Sequence, residues 1–480
     1  MTPIAIAFAI YAVMLLILSR VTGGKGSNSS FFTADRKAPW PVVAYGMVGA
    51  SISGVTFISV PGNVFNEEFL YMPMMIGFCI GYAVVAKVLL PLFYKLRVTS
   101  IYGYLATRFG ERTRRTGSFF FFLSRLLGAG VRIFIVILVL HTGLGWNFSL
   151  IALLFILLLL LYTYRGGLKT IIWTDVIQTT LMLVTLISVI VALMSRIDHS
   201  ELASITGFRM VETDWGSPRN WLKQLLSGIF MTIAMTGLDQ GMMQKNLACK
   251  DLKSSVRNIY STSTIIFAVN LFFLFLGYLF TLYVNSLGGL SAIGASSTDQ
   301  IFPILATGHF GHFITVLFFI GLISATYPSA GAALTSLTTS VCVDFLGFES
   351  GSGGLGSKES DSGKRIRGLV QLSISVFLLA TVILLYYIND DSVINLIYKL
   401  ASYTYGPLLG IFAFGIFTRC SVSDKAVPFI AFASPVLCLL LGMLTRSLWG
   451  FDLGFSLLIV NGAITFVLMY IAGLFDKKQK

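Results

Sequence analysis

Apolar residues run through this chain in stretches of roughly 18 to 25, each long enough to cross about 30 Å of hydrocarbon as a helix. About thirteen such spans can be traced, near residues 2–19, 41–62, 70–94, 117–142, 148–164, 171–195, 221–244, 260–285, 312–345, 368–388, 393–418, 426–445 and 455–475. Two of them break the pattern. The stretch "YGMVGASISGVTFISVPG", Tyr45 to Gly62, is nearly half Gly, Ser or Thr, and "GIFMTIAMTGLDQGMMQ", Gly228 to Gln244, is interrupted by Gly and Thr. A helix broken inside the membrane frees backbone carbonyls, which must then find a cation, a solute, water or a neighbouring helix. Close helix packing through small residues is the alternative reading of either span alone. Interrupted spans in matching positions of two halves point instead to a transporter with inverted repeats and a mid-membrane site. If the first helix is peripheral, these two spans open successive five-helix units.

Composition supports an all-α integral membrane protein. The 480 residues are 56% hydrophobic and 11% charged, with a mean hydropathy of +0.84, values a wetted globular surface does not support. The first span lacks a basic start, so it reads as a retained helix with its N-terminus outside. Counting from there, the inner connections carry Arg36 and Lys37, Arg108 to Arg115, Lys245 to Arg257, Lys364 to Arg367, and the terminal lysines, while those around Glu67, Asp299 and Asp390 are acidic or neutral. The net charge of +13 is thus the positive-inside rule along a multi-pass cell-membrane protein with a cytoplasmic C-terminus, and it argues against nucleic acid as a partner. Five cysteines form no disulfide framework, and no His/Cys cluster has metal-ligand spacing.

The expected organisation is a peripheral helix at 1–20, a five-helix unit at 40–196, a second at 220–419, and two further helices at 425–476. Within the second unit the Gly/Ser-rich stretch 347–368 reads as a flexible cytoplasmic linker.

The run "GGLKTIIWTDVIQTTLM", Gly166 to Met182, together with "SISGVTFISVPG" and "SATYPSAGAALTSLTTSVCVDF", Ser324 to Phe345, resembles the sodium:solute symporter family. The resemblance implies a leucine-transporter-like 5+5 inverted-repeat core with one helix before it and two after. It also implies Na⁺ as coupling ion, held by carbonyls of Gly49 and Ile52 and by Ala325, position 328 and Ser329. Pro328 stands where that family would supply a hydroxyl. Asp175, in the Trp-Thr-Asp block, resembles a residue on the ion's way in, although a lone Asp near a helix end is more often interfacial and solvated.

On the solute side, Arg132 lies near mid-span, with Ser124 and Gly128 on the same helical face. A cation there needs a partner within the bundle. The resemblance places Arg132 where sialic-acid-transporting members hold a carboxylate, a task suited to a guanidinium fork; pairing with backbone carbonyls is the alternative. Ser53 and Thr56 are assigned to solute by the same resemblance, and Gln240 and Asp239 are pocket or gate candidates. Arg125 and Lys87 read as snorkellers, and Lys399 as either a snorkeller or a fixed charge within the cavity. The leading function is sodium-coupled symport of a small polar, anionic solute, an acidic sugar such as sialic acid or another carboxylate, into the cell by alternating access. The alternatives are a sodium-independent or proton-coupled transporter, and a transporter-like solute sensor. There is no Walker sequence, which disfavours a primary pump, and no Ser/His/Asp or paired-carboxylate set, so an enzyme is not expected. The oligomeric state is left open.

Overall fold

A computed structural model describes residues 2–23, 26–198, 202, 205, 207–348, 361–388, 391–449 and 454–477, with the side chains of 391–400 outside that description. Among the described residues every regular element is a helix. In chain order the principal ones are α1 (Thr2–Thr22), α2 (Trp40–Ser51), α3 (Gly54–Glu67), α4 (Met72–Leu96), α5 (Glu111–Leu144), α6 (Phe148–Thr163), α7 (Leu168–Met194), α8 (Trp221–Thr232), α9 (Gln240–Leu247), α10 (Leu252–Ser286), α11 (His312–Ser340), α12 (Asp361–Ile388), α13 (Asp391–Phe417), α14 (Ala426–Trp449) and α15 (Leu457–Lys477).

Among the described residues nine helices are long and apolar enough to span a bilayer, or ten if the bent pair α2/α3 counts as one span. Two shorter apolar helices are α6 and the Ala401–Phe417 part of α13. This is fewer than the thirteen spans traced in the sequence. One reason is physical: the span near 221–244 is not a single helix, but ends as α8 runs through a wider turn at Ile233–Gly237 and restarts as α9.

Small residues set how closely the helices approach. A Cβ on Gly77 of α4 would lie 2.3 Å from the Leu225 carbonyl oxygen of α8, and one on Gly228 of α8 would lie 2.3 Å from the Met74 carbonyl oxygen. Backbones therefore touch there, and dispersion rather than side-chain burial holds the pair. Helix α1 leans on the bundle through Ser19, whose hydroxyl donates to the Tyr162 carbonyl of α6 at 2.6 Å, and turns Ile6, Ile10, Val13 and Ile17 outward. A face of that kind is at home in lipid. Near the centre α7 packs on α11, where the Thr185 hydroxyl donates to the Leu317 carbonyl at 2.9 Å.

Lys245 departs from its expected place in an inner loop. It belongs to α9 and is among the largest fully buried side chains of the molecule.

Candidate functional site

The break between α2 and α3 bends the chain by 62°. Ile52 and Ser53 leave the helical conformation, at φ −88°, ψ 101° and φ −81°, ψ 166°. Ser53 then caps α3: its hydroxyl accepts from the Thr56 amide at 3.3 Å and lies 3.2 Å from the Thr56 hydroxyl. Serine is favoured at such a start because its oxygen satisfies an amide with no partner in the helix. The break lies against α11 and α7. A Cβ on Gly54 would stand 2.2 Å from the Thr326 Oγ1 and 2.6 Å from the Val136 Cγ2, and a Cβ on Gly49 would stand 2.4 Å from the Thr179 Oγ1 and 3.4 Å from the Pro328 Cγ. Only glycine admits these approaches.

Gly49, Ile52, Ala325 and Ser329 are all buried, and α11 continues as a helix through Pro328. The Ser329 hydroxyl donates to the Thr326 carbonyl at 2.9 Å, which leaves its oxygen able to accept or to coordinate. The hydroxyls of Thr179 and Ser324 are buried without a hydrogen-bond partner. The Thr179 oxygen, orphaned beside the Gly49 cradle, fits a hard cation, which takes oxygen ligands.

Next to the break a cavity of about 560 Å³ is lined by Ser53, Thr56, Arg125, Arg132 and Tyr405, among others. A second, of about 210 Å³, shares Ser53, Thr56, Arg125 and Arg132 and extends toward Tyr82 and Asn270. Ser124, Gly128 and Arg132 line the larger cavity from one face of α5.

Arg125 corrects the expectation of a snorkelling side chain. It is 7% exposed, and its Nη1 lies 3.4 Å from the Asp239 Oδ2. Its Nε and Nη2 have no hydrogen-bond partner. Asp239 is the hub of this corner: Oδ2 also accepts from the Tyr405 hydroxyl at 2.7 Å, and Oδ1 accepts from the Met242 amide at 2.9 Å, capping α9. Sequence reasoning sent Arg125 to the membrane interface, although its spacing of seven from Arg132 puts both on one helical face.

Gln240 is turned to another task. Its Oε1 accepts from the Ile101 amide at 2.9 Å and its Nε2 donates to the Thr99 carbonyl at 3.0 Å, so its amide pins the 99–101 turn. Asp175 is neither solvated nor alone. Its Oδ2 accepts from the Lys245 ammonium, both side chains are 1% exposed, and its Cβ would lie 2.9 Å from a Cβ on Gly46 of α2. Lys87 is part of α4; the side chain of Lys399 lies outside the described residues.

A family model described as the sodium:solute symporter family matches residues 31–424. The chain belongs to that family. As a member it is a multi-pass, sodium-coupled membrane transporter and not an enzyme. It is 23% identical over 434 residues to the sodium/sialic acid symporter SiaT of Proteus mirabilis, covering 88% of this chain and 86% of that one. It is 26% identical over 352 residues to a Drosophila melanogaster protein named as a sodium-dependent multivitamin transporter, a match that spans 70% of this chain but only 58% of its relative. Among solved structures, that of a Na⁺-coupled sialic acid symporter in a substrate-bound, outward-open state, which revealed a novel Na⁺ site, superposes with a TM-score of 0.83 at 19% identity, over 98% of this chain and 97% of the other. The symporter thus shares the helical fold of that transporter.

Proposed function

We propose that this symporter carries a small anionic solute, an acidic sugar such as sialic acid or another carboxylate, into the cell with Na⁺. The break between α2 and α3 carries the reading. It brings the carbonyl end of one helix beside the amide end of another, and the two ends have opposite partial charge. The carbonyl end suits a cation and the amide end suits an anion, so one interruption serves both ligands. On the cation side, the carbonyls of Gly49, Ile52 and Ala325 and the Ser329 hydroxyl are the ligand set, and Asp175 is assigned to the ion's path, its charge balanced by the Lys245 ammonium. That ligand set would hold sodium between α2 and α11, and the ion would supply the energy of its gradient.

On the anion side, Ser53 and Thr56 offer hydroxyls at the start of α3. Arg132 offers a bidentate fork in the cavity wall, and Arg125 on the same face of α5, its charge balanced by Asp239, keeps two guanidinium nitrogens free to donate. Gln240 is assigned as a brace of the 99–101 turn rather than as a solute contact. The proposed architecture has thirteen membrane helices: a peripheral one at 1–20, inverted five-helix repeats at 40–196 and 220–419, and two at 425–476. The distribution of Lys and Arg supports an outer N-terminus and an inner C-terminus.

The test is uptake into proteoliposomes of labelled sialic acid, lactate, biotin, glucose and proline, in sodium and in choline. Uptake of a carboxylate, driven by sodium and weakened by about 1.5–3 kcal/mol of binding in Arg132→Ala, is the expected result. Preference for glucose or proline, or unchanged affinity in Arg132→Ala, would remove the anionic reading.

A further inference from the structure

Threonines inside a helix usually satisfy their hydroxyl on the carbonyl one turn back. In this bundle Thr163, Thr185, Thr326, Thr335, Thr338 and Thr339 do so, at 2.7–2.9 Å. Thr179 does not. Its side chain is fully buried, and its Oγ1 has no hydrogen-bond partner. A hydroxyl without a partner in a dry interior is costly, and such groups in a folded protein call for an explanation.

The position of this oxygen supplies one. Oγ1 lies where a Cβ on Gly49 would come within 2.4 Å of it, and the Pro328 ring closes the same space at 3.4 Å. Gly49 opens the last turn of α2, whose carbonyls have lost the amides that would follow in an unbroken helix. Three helices therefore meet at one point: α2 with its terminal carbonyls and α7 with the Thr179 hydroxyl bring oxygen atoms in want of a donor or a positive charge, and α11 brings the Pro328 ring. On the α11 side Pro328 contributes neither a hydroxyl nor an amide proton.

We propose that the Thr179 hydroxyl is a direct ligand of the coupling sodium ion, supplying from α7 the oxygen that Pro328 does not supply from α11. The proposal rests on the sodium site assigned above and adds a third helix to it. Ion binding then ties α7, as well as α11, to the broken helix. A trapped water on the hydroxyl is the competing occupant, and it would respond to no particular cation.

Detergent-purified protein answers this without transport. The readout is the thermal unfolding midpoint titrated with sodium at constant ionic strength, choline replacing it. Thr179→Val keeps the shape and removes the oxygen. The sodium concentration for half-maximal stabilisation should rise on the order of tenfold, the worth of one well-placed polar contact. Thr179→Ser should stay within about twofold of the parent by the same measure, and Thr179→Val/Pro328→Ser should recover the parent's midpoint, because the hydroxyl returns from the other helix. An unchanged sodium midpoint in Thr179→Val would overturn the proposal, as would a loss that Thr179→Ser shares and Pro328→Ser does not repair. A parent that sodium fails to stabilise would overturn the whole cation site, Thr179 included.

Discussion

The two interrupted spans use the same local device for different ends. At the α2/α3 break the residues are small and neutral, Ser53 caps the second half, and both halves face the smaller cavity. At the α8/α9 break the capping residue is a carboxylate. Asp239 caps α9 through Met242 and is held by Tyr405 and Arg125, so the carboxylate of that break finds its partners within the protein although the cavity reaches it. A broken helix always leaves polar groups to be satisfied. One break here leaves them for a ligand to satisfy, and the other satisfies them within the protein. The first is the more adaptable of the two and the second is a brace.

Three substitutions test that contrast. The largest effect is expected from Asp239→Ala, which removes the cap and strands the buried Arg125. Breaking a buried pair in this way costs about 3–5 kcal/mol, and unfolding of the purified protein should show it, with Asp239→Asn much milder because asparagine also caps. A parent-like stability in Asp239→Ala would mean that the second break is not a brace. Gly54→Val comes next. Its side chain has to displace Thr326 and Val136, overpacking worth about 1–3 kcal/mol, and uptake should fall to background while the protein still inserts; full uptake would show that the first break tolerates bulk and is not a tight seat. Gln240→Ala is the gentlest. Losing two hydrogen bonds to the 99–101 turn should lower stability by about 1–3 kcal/mol and leave solute affinity unchanged, and a selective loss of affinity would return Gln240 to the solute.

Much of this was legible along the chain because helices in lipid announce themselves by length and apolarity, and because a break needs small residues. The Tyr45–Gly62 stretch signalled its interruption that way, and the spacing of Ser124, Gly128 and Arg132 signalled a common face. What joins different helices was not legible. Asp239 and Tyr405 are 166 residues apart, and Asp175 and Lys245 are 70 apart. No period relates them. Lys245 sits among polar residues after an apolar span, and hydropathy does not separate a lysine in a loop from one in a short half-helix. Gln240 carries no mark of which way its amide will turn, and Thr179 is only one of two adjacent threonines until Gly49 is seen beside it.

The Asp175–Lys245 pair also bears on how the chain is made. A carboxylate or an ammonium alone at the centre of a membrane helix costs about 2.5–3.5 kcal/mol on insertion scales, and less toward an end, where Asp175 lies. During synthesis α7 emerges first, and its counter-charge follows 70 residues later. Until then Asp175 has no permanent mate, so α7 is expected to linger in the shelter of the insertion machinery or at the headgroup boundary and to settle only when α9 arrives. Growing chains arrested before and after residue 245 has left the ribosome would reveal that delay as a change in the depth of α7. The pair would then act as a checkpoint in assembly, admitting the first half of the bundle to the bilayer only in company with the second.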